Sequence, residues 1–118
     1  FDGHRKTARI DEAVTQLRRA RAAVAEAEQA LYLNLVTAVA ERESARKRAD
    51  IARLIQKQAE DNLAIVNEQY RVGISSSIER TDAQVALTQA QANAIRAAYD
   101  EQAAIARIAR LAGEPVTR

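Results

Sequence analysis

Glu79 and Asp82 form the acidic pair whose setting most invites chemistry, because residues three apart on a helix share a face. Two carboxylates on one face attract a cation or line a pore. The same pair also suits the positive end of a helix dipole and stabilises it there. Spacing alone leaves both readings open. Catalysis would need more: a nucleophile with a base, a metal cluster or a nucleotide cradle. The chain has no cysteine, and its one histidine, His4, lies near its start and reads as an ordinary exposed side chain. Gly73 is no phosphate loop, since no second glycine or lysine follows it at the required spacing. The expectation is a protein that is not an enzyme, with no catalytic residue, metal site or cofactor.

The acidic pair belongs to a segment, Tyr70 to Asp82, that organises the rest of the chain. Gly73 is the only glycine between Gly3 and Gly113, so it marks the one place where the backbone readily takes a positive φ. Ser76 followed three residues later by Glu79 is a capping-box pattern. A helix stop followed directly by a helix start makes a hairpin tip. The expected fold is therefore all-α, a long antiparallel, coiled-coil-like hairpin in a single unit. It has a first helix over 4–71, about 68 residues, and a tip over 72–76. A return helix follows over 77–112, about 35 residues, with Gly113 and Pro115 as stop signals and a tail over 113–118. Asp2 suits a helix cap, and a start at Phe1-Asp2-Gly3 without methionine suits an excised or processed piece.

Composition agrees with thin helices packed side by side. The 118 residues are 47% hydrophobic but include only four aromatics, with alanine supplying much of the apolar count. A thick core is out of reach, and 29% charged residues with a helical period favour a coiled coil. The net charge of +2, with acids interspersed among bases, argues against a nucleic-acid partner. No run of about twenty apolar residues is present, so no helix is expected to span a bilayer.

Every seventh residue from Ile10, through Leu17, Val24 and Leu31 to Ala38, Ala45, Ala52, Ala59 and Val66, is apolar. Such a repeat implies helices that supercoil around neighbours. The return helix carries two rows of the same period, Ile78, Val85, Ala92, Tyr99, Ala106 and Ala83, Ala90, Ala97, Ala104, Leu111. Leu87, Ala94 and Ile108 widen its face. In the charged middle, Glu43 with Lys47 and Arg46 with Asp50 are spaced as ion pairs on a solvated face. The arms are unequal. Folded back, about 36 residues of return helix reach only to roughly residue 37 of the first helix. The stripe over 4–36 then lacks a partner, and burying each large aliphatic side chain is worth roughly 1.5–3 kcal/mol. Missing helices, or self-association of the isolated chain through that stripe, are expected.

Tyr70-Arg71-Val72-Gly73-Ile74-Ser75, followed by Glu79-Arg80-Thr81-Asp82-Ala83-Gln84, resembles the tip motif of TolC-type outer-membrane efflux proteins. Their second repeat reads Tyr-Arg-x-Gly, a few residues, then Asp-x-x-Asp-Ala-Gln. Phe1-Asp2-Gly3 and Leu111-Ala112-Gly113 are similar to the start and end of the family's helical hairpin. The resemblance implies a second-repeat segment of a homotrimeric channel, the periplasmic part of a Gram-negative outer-membrane protein used in tripartite efflux or type I secretion. It further implies that Val72, Gly73, Ile74 and Ser75 meet the hairpin tips of a periplasmic adaptor, and through it an inner-membrane transporter. Tyr70, Glu79 and Asp82 would lie at the channel constriction, where threefold symmetry gathers six carboxylates. Glu79 stands where the family usually has Asp, and Arg80 stands where an apolar residue is common and could neutralise part of that ring. Ser75 replaces an arginine that latches the gate in some members. Two rivals remain: the α-helical hairpin of an adaptor, whose arms are nearly equal, and a cytosolic coiled-coil scaffold.

Overall fold

A chain with no glycine or proline between Gly3 and Gly73, and rich in alanine, meets no obstacle to continuous helix. The computed structural model describes residues 2–113. Helix α1 spans Asp2–Arg71, 70 residues, without a break, and helix α2 spans Ser77–Leu111, 35 residues. The described residues contain no strand, and the fold is the all-α hairpin expected. Asp2 lies inside the first turn of α1 rather than capping it. Ala112 caps α2, and Gly113 follows at φ +76°. The landmarks on Phe1 and on 114–118, Pro115 included, lie outside the described residues.

The chain divides into two units, Phe1–Thr37 and Ala38–Arg118. In the first, every described residue is exposed except the half-buried Leu35. The stripe Ile10, Leu17, Val24 and Leu31 is open to solvent there.

The second unit holds the hairpin. Its buried residues are Ala38, Ala45 and Ala49 on α1, and Ala83, Leu87, Ala90 and Ala94 on α2. Half-buried Ala52, Ala59, Leu63 and Val66 continue the α1 row, while Ala97, Ala104, Ile108 and Leu111 continue that of α2. Both rows advance in steps of three, four or seven residues, the spacing of a coiled-coil seam. Side chains this small let two backbones approach closely.

Of the two candidate rows on the return helix, only the alanine row faces α1. Val85 is 62% and Tyr99 78% exposed, and Ile78 is exposed too. The reason is angular. Position 85 lies two residues from both 83 and 87, about 200° around the helix from each, so the rows occupy opposite faces. One helix partner covers one face.

Two ion pairs cross the seam with opposite polarity. Arg53 on α1 meets Glu101 on α2 at 3.3 Å, and Glu41 on α1 meets Arg107 on α2. Within α1, Lys57 pairs with Asp61 at 3.1 Å, and Asp50 pairs with Arg53 at 2.7 Å rather than with Arg46. No helix among the described residues is long and apolar enough to cross a membrane.

Candidate functional site at the hairpin tip

The five residues between the helices are fixed by backbone bonds that the sequence makes possible. Gly73 has φ +82°, the left-handed conformation that ends a helix at low cost only for glycine. Its N–H donates to the Tyr70 carbonyl at 3.1 Å, and the Ile74 N–H donates to the Gln69 carbonyl at 2.8 Å. Those two bonds together are a Schellman stop. A Cβ added at Gly73 would meet nothing within 4 Å, so the turn needs glycine for its φ, and the space above it is open. Just before the stop, the Arg71 guanidinium lies on Glu68, with Nε 3.0 Å from Oε2. That contact holds the Glu68 carboxyl below the usual range and raises Arg71 further.

Helix α2 starts by the capping box. The Glu79 N–H donates to Ser76 Oγ at 3.2 Å, and the Ser76 N–H donates to Glu79 Oε2 at 2.8 Å. Ser75 Oγ–H also donates to Glu79 Oε2, at 2.6 Å. The Ser75 hydroxyl first, and the Ser76 N–H second, hold the Glu79 carboxyl below the usual glutamate range. Glu79 is thus an ionised acceptor that orders the helix start.

Asp82, one turn on, is exposed, and none of the hydrogen bonds or ion pairs among the described residues reaches it. The two acids expected to act together therefore have different surroundings. None of the hydrogen bonds or ion pairs among the described residues joins Arg80 to either acid. Its Nε–H donates to Asn67 Oδ1 at 3.1 Å, and its guanidinium carbon lies 5.0 Å from the centre of the Tyr70 ring. Sequence reasoning had offered Arg80 to the acids and missed these partners. The available signal was that positions 67 and 80 lie at similar distances from the turn, seven and six residues from Ile74.

Around Gly73 the tip presents Val72, Ile74 and Ile78 to solvent, Ile74 being 77% exposed, while Ser75 is half-buried. Ile78 is a tip residue that the sevenfold rows had assigned to helix packing. Beside it a recess of about 280 Å³ is lined by Asn67, Ser77, Arg80, Thr81 and Gln84. No group of three or more His, Cys, Asp or Glu is placed to hold a metal among the described residues. What the tip offers is a small apolar knob, an open glycine and one uncommitted carboxylate, which suits contact with another surface.

A family model described as outer membrane efflux protein matches residues 1–114. No curated protein and no solved structure matches the chain.

Proposed function

The chain belongs to the outer membrane efflux protein family, and from that premise we propose that α1 and α2 form part of the wall of a periplasmic tunnel in a trimeric channel. The family comprises efflux channels of the outer membrane rather than enzymes. In this reading Val72, Gly73, Ile74 and Ser75 dock the hairpin tips of a periplasmic adaptor, which links the channel to an inner-membrane transporter. Tyr70, Glu79 and Asp82 lie at the narrow end of the tunnel. The observation that carries the docking role is the open space over Gly73, flanked by exposed Val72 and Ile74. A partner helix can approach that backbone closely, with apolar side chains on either side to bury. Asp82, exposed and uncommitted, is the better placed of the two acids to bind a cation in the tunnel.

The test is export by the assembled channel. Ile74→Glu puts a charge on the knob without straining the turn, and Gly73→Leu fills the space above it. Both variants are expected to insert as trimers and to lose export. Normal export by Ile74→Glu would overturn the docking role.

A further inference from the structure

We propose that Arg80 is a positioning residue, a strap that ties the first turn of α2 to α1 and sets how far the helices part at the tip. The argument starts from what the seam leaves uncovered. On α2 the first buried residue is Ala83, and on α1 the seam nearest the turn is the half-buried Val66. Between these positions and the turn, Tyr70, Ile78 and Thr81 are exposed, so hydrophobic packing does not hold this section closed. Arg80 is the side chain that bridges it.

One guanidinium engages two residues of α1 at once, Asn67 through a 3.1 Å hydrogen bond and Tyr70 through its ring face at 5.0 Å. Positions three apart lie on the same side of a helix, so a single planar group reaches both. Two of the neighbouring carboxylates are committed elsewhere. Glu79, adjacent in the chain, is occupied by Ser75 and Ser76, and Glu68 is occupied by Arg71. Asp82, two residues on and about 200° around α2, shares no bond with Arg80, and the cation finds its neutral partners on the opposite helix. Arginine is suited to the task because its flat fork both donates laterally and stacks on an aromatic face. The Tyr70 hydroxyl has no part in the contact.

The consequence for transport rests on the channel reading: if the tunnel opens by parting of its tips, the strap resists that movement within each chain.

Two measurements on the assembled protein separate these claims. Spin labels at Ala64→Cys and Ala86→Cys, both exposed positions on either side of the tip, report the separation of the helices. Arg80→Met keeps the apolar stem and is expected to lengthen and broaden the distance distribution. Arg80→Lys, which keeps a charge over the ring but lacks the fork, falls between, and Tyr70→Phe matches the parent because the ring face is intact. An unchanged distribution in Arg80→Met, or a Tyr70→Phe variant as disturbed as Arg80→Met, overturns the strap. Single-channel recording then tests the consequence: Arg80→Met should raise the open-to-closed ratio about two- to fivefold for each chain, the range for an exposed cation–ring contact. Widened tips with unaltered conductance would overturn the link to opening and leave the strap in place.

Discussion

Arg53 on α1 and Glu101 on α2, 48 residues apart in the chain, meet at 3.3 Å across the alanine seam, and Glu41 and Arg107, 66 apart, repeat the contact with the charges exchanged. A seam of alanines that recurs every seven residues has little packing preference for one register over the next. Charges of alternating sign supply one. A slip of seven residues that brought position 100 to Glu41 would set it against Asp100. The ion pairs thus agree with the turn in selecting one alignment.

Reversing one charge tests this. Glu101 is only 19% exposed in its side chain, so Glu101→Arg opposite Arg53 should destabilise the hairpin by about 0.2–1 kcal/mol, with the exchange Arg53→Glu plus Glu101→Arg recovering most of the loss. Urea unfolding of the four proteins gives the coupling directly. Additive losses, with no recovery, would show that the pair does not interact.

The choice of seam is open to a size test. Ala90 is buried against α1, and Ala90→Leu overpacks it at a cost of about 1–3 kcal/mol. Val85→Ala, on the far face of the same helix, should stay within about 0.5 kcal/mol of the parent in the isolated hairpin unit. Thermal unfolding in which Val85→Ala is the costly variant would mean that α2 turns its other face to α1.

The start of α2 should be acid-sensitive. Glu79 is held below the usual glutamate range by the Ser75 hydroxyl and the Ser76 N–H. Since its folded pKa lies below its unfolded one, the contribution is complete above the unfolded value and disappears as pH falls through the folded one. Glu79→Gln should remove this component of the acid dependence of α2 unfolding. Ser76→Ala should cost about 0.5–2 kcal/mol at neutral pH, the range for a lost N-cap. An acid unfolding curve unaltered in Glu79→Gln would argue that the box does not form.

The tip was legible in the sequence because its determinants are local. Gly73, Ser76 and Glu79 lie within six residues of one another, and each has few alternatives at its position. The seam was legible in period but not in direction. Ile78, Val85 and Tyr99 recur with the same spacing as Ala83, Ala90 and Ala97, and only contact with α1 decides which row is covered. Small residues won that contact because they allow closer backbones, a tertiary effect with no local marker. The partners of Arg80 were not legible for a related reason. In one dimension Arg80 stands between two acids, but in three dimensions its bond goes to Asn67 and its guanidinium lies over the Tyr70 ring, both on the opposite helix. The different surroundings of Glu79 and Asp82 likewise depend on serines whose hydroxyls could have served other partners.

The recurrence of one small side chain down the hairpin makes its reach adjustable without touching its end. Adding seven residues to each arm would move the tip by roughly 10 Å, at 1.5 Å per residue, and leave every face where it was. Span and end geometry then become separate variables, the first set by counting repeats while the residues of the turn stay the same.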